Sequence, residues 1–163
     1  MKIAIASDLH DNTQQLEWFL KECQKREITH CYFLGDLIRP TLAKKLFEQL
    51  QTHYIFGNND GDKVRILKFQ TTNTTIANDC FDEITDQHVF LTHYPLLARN
   101  AAESGRYKAV FYGHDHQKHE EHIGDCLLVN PGELAGHLTG IVSFYVWDQT
   151  TNTGEFITRP NTP

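Results

Sequence analysis

The sequence predicts an α/β chain, and two observations predict it. Short apolar runs stop abruptly at Gly, Asp or Asn, as at Ser7-Asp8, Gly35-Asp36 and Gly57-Asn58, which is how buried strands end. Between these runs apolar residues recur at helical spacing, as Leu16, Phe19, Leu20 and Cys23 do. Alternating strand and helix patterns build layered α/β domains, and here the last third turns to strand alone.

Residues 2–6 are a short apolar strand, followed by a polar stretch over 7–12. Asp11, Asn12 or Thr13 can cap the first helix. Residues 31–34 make the second strand. Thr41 can cap a second helix with Leu42, Leu46 and Leu50 on one face. The third strand, 53–56, runs into Gly57-Asn58-Asn59-Asp60, and a short helix is expected over 63–68. The middle is polar and β-branched, with strand pieces at 74–77 and 81–84. Residues 88–91 are a clear strand before Thr92-His93, 96–104 a helix, and 108–112 a strand before Gly113-His114-Asp115-His116. Strands at 120–123, 126–129, 141–147 and 155–158 follow, with hairpin signals at Gly124-Asp125 and over 148–154. No linker, repeat or low-complexity segment divides the chain, so one domain over 1–163 is expected.

The chain has 163 residues, 40% of them apolar and 11% aromatic, enough for a core of its own. A net charge of -6 does not suit a grip on polymeric nucleic acid, which needs basic surface. No apolar run approaches the ~20 residues of a membrane helix. The opening apolar run is cut short by Asp8, too short for a signal-peptide core, so a cytoplasmic protein is expected. Cys23, Cys31, Cys80 and Cys126 lack CxxC spacing and read as buried or free thiols.

The chemistry lies in the residues just beyond the strands. Asp8 and His10 follow the first, Asp36 the second, Asn58 the third, His93 the next clear strand, and His114 and His116 the one after it. In open α/β sheets ligands bind outside the carboxyl ends of strands, so these segments can deliver all their donors to one rim. Mixed imidazole and oxygen donors suit manganese, iron, zinc, nickel or magnesium without thiolates, and two divalent ions, manganese before the others, are expected. A carboxylate can bridge two cations, and Asp36, alone after its strand, is the best candidate. Gly35, Gly57 and Gly113 each precede a donor and allow close backbone approach.

In their order, Asp8-Leu9-His10, Gly35-Asp36, Gly57-Asn58-Asn59-Asp60, Thr92-His93 and Gly113-His114-Asp115-His116 resemble the motifs of the calcineurin-like metallophosphoesterase superfamily. The short length and Asn130-Pro131-Gly132 resemble its small bacterial and archaeal phosphodiesterase branch. The resemblance implies a four-layer αββα sandwich with two mixed β-sheets flanked by helices. It implies one divalent ion held by Asp8, His10, Asp36 and His116 and another held by Asp36, Asn58, His93 and His114. Asp36, Asn58 and His114 are the expected catalytic residues. The activity implied is hydrolysis of a small organic or nucleotide phosphate ester, most readily a diester, by a metal-bridging hydroxide.

The chain departs from the family pattern at two positions. The usual Gly-Asn-His has Asn59 in place of the histidine thought to protonate the leaving oxygen, and an amide cannot replace it near neutral pH. The usual Gly-His after the fourth-strand histidine is here Tyr94-Pro95, where Tyr94 reads as packing first and a substrate contact second. Asp60 reads equally as a ligand-orienting acid or a helix cap. His30, His53 and His88, at strand starts, read as structural, and His119, His122 and His137 as surface residues. Arg39, Arg65 and Arg99 can bind phosphate, and nothing in the sequence chooses among them. The alternatives are a nuclease, disfavoured by the acidic surface, and a non-catalytic scaffold. The latter rests on a resemblance to the retromer scaffold subunit, but a scaffold has no need of the complete donor set. A homo-oligomer stays open.

Overall fold

The structure is a computed structural model that describes residues 1–77 and 79–161; positions 78, 162 and 163 of the expected domain lie outside the described residues. Six strands form one sheet: β1 (Lys2–Ala6), β2 (His30–Phe33), β3 (Gln51–Tyr54), β4 (Thr74–Ile76), β10 (Ile141–Asp148) and β11 (Thr153–Pro160). Their order is β11-β10-β1-β2-β3-β4, with β1 to β4 parallel and the late hairpin joined antiparallel to β1. Five strands form the other sheet: β5 (Phe81–Ile84), β6 (Val89–Thr92), β7 (Ala109–Phe111), β8 (Lys118–Ile123) and β9 (Cys126–Pro131). Its order is β5-β6-β7-β9-β8, parallel in the middle and antiparallel at both edges.

The side-chain period of a strand, two residues, explains how the layers form. Ile3 and Ile5 of β1 point one way and Ala4 and Ala6 the other. Likewise Tyr145 and Trp147 of β10 oppose Val142, Phe144 and Val146. The first set meets Val89, Leu91, Ala109, Phe111, Leu127 and Val129 of the second sheet and forms the central layer. The second set is covered by the apolar stripes of α1 (Thr13–Lys25) and α2 (Pro40–Gln49), with Ile66 of the short α3 (Lys63–Leu67). On the far side Val110 and Leu128 pack under Ala98 and Ala102 of α4 (Pro95–Glu103). The result is the expected four-layer αββα sandwich. Among the described residues no helix is long and apolar enough to cross a membrane.

Asn12, of the three candidates, caps α1, its side-chain oxygen accepting the Gln15 N–H at 3.3 Å. Thr41 does not cap α2: the helix starts one residue earlier, at Pro40 after Arg39. Proline at the first helical position has no N–H to satisfy and its φ already suits a helix, so a side-chain cap is dispensable. The third strand lies two residues earlier than its apolar run suggested, because Gln51 and Thr52 pair with β2 despite their polarity. Cys23, Cys31 and Cys126 are buried free thiols, as expected, and Cys80 is half-buried.

Phe111 is fully buried between the sheets, its ring 5.1 Å from that of Trp147. Phe111→Ala should cost about 3–5 kcal/mol in urea unfolding, whereas Leu138→Ala, at a residue 75% exposed, should change stability by no more than ~0.5 kcal/mol.

Candidate metal centre

All the sequence-selected donors meet on one rim, at the carboxyl ends of the parallel strands of both sheets. Backbone hydrogen bonds join their loops. The Asp8 N–H donates to Gly35 O (3.1 Å) and the His10 N–H to Asp36 O (3.0 Å). The loop after β9 crosses beneath, with Leu134 N–H donating to Ser7 O and Ala135 N–H to Asp8 O, both at 2.9 Å. The second sheet joins through the His114 N–H, which donates to Asp8 Oδ2 at 3.0 Å.

This crowding is conformationally costly. Asp8, His10, Asp36, His114 and His116 all have positive φ, between 45° and 75°. Non-glycine residues rarely sit there, and such strain gathers at functional sites. Gly57 and Gly113 are required by space: a Cβ on Gly57 would collide with Asp36, its nearest backbone atom only 2.6 Å away, and one on Gly113 would lie 2.8 Å from Asp8 Oδ2.

The donors divide into two neighbouring groups. Near β1, His10 Nε2 lies 3.7 Å and His116 Nε2 3.6 Å from Asp8 Oδ1. On the other side Asn58 Oδ1 lies 3.0 Å from His93 Nε2 and 2.9 Å from His114 Nδ1. Asp36 Oδ2 stands between the groups, 3.7 Å from His10 Nε2 and 3.6 Å from His93 Nε2. Donors bound ~2.1 Å from one ion at tetrahedral or octahedral angles lie roughly 3.0–3.4 Å apart, close to these spacings. Asp8, His10 and His116 form one set with donor atoms within 4.8 Å of one another, and Asp8, Asp36 and His93 form a second.

The residues fit a divalent cation on two further counts. Asp8 Oδ1 and His10 Nε2 are buried without a hydrogen-bond partner, which normally costs stability. Second, the buried His93 donates from Nδ1 to Leu34 O at 2.7 Å, which turns Nε2 toward Asn58 and Asp36, where a lone pair meets oxygen acceptors. A positive charge reconciles such groups, and a buried neutral set does not.

Supporting groups fix the donors. Glu133 is one that sequence reading missed. It is fully buried, its Oε2 lies 2.9 Å from His116 Nδ1, and it accepts the N–H groups of His137, Leu138 and Thr139. It turns His116 Nε2 toward Asp8, the usual carboxylate–histidine device of metal sites. The rule that found the other donors applies to it, since it follows the carboxyl end of β9. Asp60 orients rather than caps: Asp62 caps α3, while Asp60 accepts the N–H groups of Asp36 (3.0 Å), Gly57 (2.8 Å) and Ile38 (2.8 Å) and the Tyr54 hydroxyl (2.9 Å). Asn59 donates to both carboxylate oxygens of Asp36, from its backbone N–H (2.8 Å) and its side-chain amide (2.7 Å). Tyr94 does not pack into the core: half-buried, its ring sits edge-on to His93 and His114 at 5.3 and 5.1 Å.

Of the arginines, Arg99 pairs with Glu103 and Glu121, and Arg39 lies 3.7 Å from Asp11, beside His10 in sequence. His53, at the opposite end of the sandwich, bonds Asp82 at 2.7 Å, a structural link between the sheets.

The electrostatics also favour cations. Burial would raise the Asp36 carboxyl, but the neighbouring His93 imidazole and hydrogen bonds from Asn59 bring it down to about 2. Burial likewise opposes the lowering of Glu133, which His116 and Thr139 nonetheless hold at about 2. His93 would be lowered by burial, yet Asp36 and Asp8 hold it above its ordinary value, and Glu133 raises His116. A field that draws protons onto imidazoles also draws metal ions, which then compete for the same lone pairs.

Residues 1–152 match the model of the calcineurin-like phosphoesterase superfamily domain. Phosphodiesterase MJ0936 of Methanocaldococcus jannaschii is 32% identical over 155 residues, spanning 91% of this chain and 93% of that protein. A solved archaeal phosphodiesterase superposes with a TM-score of 0.87 at 30% identity, covering 98% of this chain and 100% of that one. YfcE, a phosphoesterase from E. coli, shares the fold at a TM-score of 0.67 and 18% identity, covering 99% and 100% of the two chains.

Asp60→Ala should destabilise the chain by about 2–4 kcal/mol in urea, because buried backbone donors lose their acceptor. The Glu133 carboxyl, held at about 2 when folded against about 4.3 unfolded, contributes stability above the unfolded value that fades as pH falls toward the folded one. The stability difference between metal-free wild type and Glu133→Gln, read from urea midpoints, should therefore be largest at about pH 5.5–6.5, shrink toward pH 2 as Glu133 takes up its proton, and shrink again at higher pH as His116, which Glu133 holds above its ordinary value, loses its own.

Proposed function

Because the chain belongs to the calcineurin-like phosphoesterase superfamily, and is on that account a metal-dependent phosphoric ester hydrolase, we propose that it is a phosphodiesterase acting on small organic or nucleotide phosphate esters through two divalent cations, manganese being the best fit. The observation behind this reading is the complete donor set on one rim, with Asp36 Oδ2 midway between His10 and His93. Asp8, His10, Asp36 and His116 would hold one ion, and Asp36, Asn58, His93 and His114 the other.

When bound, the cations supply positive charge that lowers the pKa of water and offsets charge on the phosphoryl oxygens. The chain's own groups do the positioning. Glu133 and the Leu34 carbonyl hold His116 and His93 by their Nδ1 atoms, so each imidazole presents Nε2 to the centre. Asn59 and Asp60 hold Asp36 by its carboxylate and its backbone. Tyr94 walls the side occupied by His93 and His114. The Asn59 amide, engaged with Asp36, has no proton to give near neutral pH, so diesters with stable leaving anions are the favoured substrates.

A non-catalytic scaffold on this fold would not need the buried, partnerless Asp8 Oδ1 and His10 Nε2, nor the strain around them. The net charge of -6 weighs against a nuclease for long polymers.

Chelation should abolish turnover of bis(p-nitrophenyl) phosphate and manganese should restore it. Asp36→Asn and His114→Ala should each lower kcat/KM by more than ~100-fold. Pure protein that binds no divalent metal in calorimetry and turns over no diester in its presence would overturn the reading.

A further inference from the structure

A cavity of about 280 Å³ opens beside His116, walled by Lys118, Thr139, Ile141 and Ser143. It lies where β8 of one sheet approaches β10 of the other. Gly132 fits between the two walls with φ 78°; a Cβ there would sit 2.8 Å from Lys118 Cγ. The cavity therefore depends on the chain having no side chain at that point.

Both hydroxyls of the walls are engaged. The Ser143 hydroxyl donates to Pro131 O (2.7 Å) and the Thr139 hydroxyl to Glu133 Oε1 (2.8 Å). Lys118 is different: among the described residues its ammonium makes no ion pair, and it lies 5.7 Å from the Phe156 ring centroid. Ile141, 40% exposed, supplies an apolar wall. A cation held by an aromatic face and by no carboxylate among the described residues, together with an apolar wall, stands next to His116 on a chain whose net charge is -6. An aqueous cavity of this size accommodates an organic group rather than a lone ion.

We propose that this cavity receives one ester substituent of the diester, and that Lys118 binds a second anionic group on that substituent. The substrate class is then a nucleotide-type phosphodiester carrying a further phosphate. The inference rests on the phosphodiesterase reading, and binding and turnover separate the two.

The turnover test compares thymidine 5′-(p-nitrophenyl phosphate) with its 3′-phosphorylated counterpart, which share a leaving group. The metal-loaded wild type should favour the 3′-phosphorylated ester about 10-fold in kcat/KM, as a charged hydrogen bond implies. Lys118→Ala should bring that ratio to about 1, and Lys118→Glu below it. The binding test uses the metal-free chain in calorimetry: thymidine 3′,5′-bisphosphate should bind more tightly than thymidine 5′-phosphate, and Lys118→Ala should remove the difference. Equal affinities in wild type, or a preference that survives Lys118→Ala, would overturn the cavity assignment. A binding preference that requires Lys118, with no turnover of either ester, would support the cavity and overturn the phosphodiesterase reading instead.

Discussion

Asp60 is a buried carboxylate that pairs with no cationic side chain among the described residues, and the geometry of the rim depends on it. One of its oxygens accepts the backbone N–H groups of Asp36 and Gly57 and the Tyr54 hydroxyl, while the other accepts the N–H of Ile38. Apart from Tyr54, the last residue of β3, those donors come from the loops after β2 and β3. The acid thus clamps the loop carrying Asp36 against the loop carrying Asn58, and the spacing of both donors follows from one side chain. Charge-assisted hydrogen bonds are strong enough to hold backbone in otherwise unfavourable conformations. Asp36 and Ile38, both bonded to Asp60 through their N–H groups, both have positive φ.

Strain and unsatisfied polar atoms concentrate at this rim. The same region leaves Asp8 Oδ1 and His10 Nε2 buried without partners. The stability to offset this comes from the layers behind it, where Ile3, Ile5, Tyr145 and Trp147 interlock with Leu91, Phe111 and Val129. The rigid sandwich and the strained rim are therefore complementary: dense packing permits a donor arrangement that isolated loops would relax away from.

Much of this was legible in the sequence because strands announce where they end. Asp8, His10, Asp36, Asn58, His93, His114 and His116 each follow an apolar run, and parallel strands direct their carboxyl ends to one side. Glu133 obeys the same rule, following β9, but its role was not legible because it reaches His116 only through the fold, seventeen residues away across the turn from β8 to β9. The role of Asp60 was undecidable from sequence, since burial of an acid depends on loops far apart in the chain. The third strand was misplaced because hydrophobicity and ladder pairing diverge there. Ile55 and Phe56 are buried and still bond to neighbours, Ile55 N–H to Phe33 O and Phe56 N–H to Asp79 O, but the ladder itself runs through Gln51 and Thr52. The layering, by contrast, followed from simple alternation along β1 and β10 once the strands were placed.

The hydrogen bonds from Leu134 to Ser7 and from Ala135 to Asp8 close a contact across nearly the whole chain. The loop that begins the fold and carries its first donors bonds early to the loop after β2, but its Ser7 and Asp8 carbonyls find their partners only when the segment beyond β9 arrives. Contacts this distant in sequence are entropically slow to form. During synthesis from the amino terminus, Asp8 and His10 therefore exist long before His116 and Glu133 can join them. A chain stalled before β9 would hold Asp8 without the backbone bond from Ala135 and His116 without its Glu133 partner.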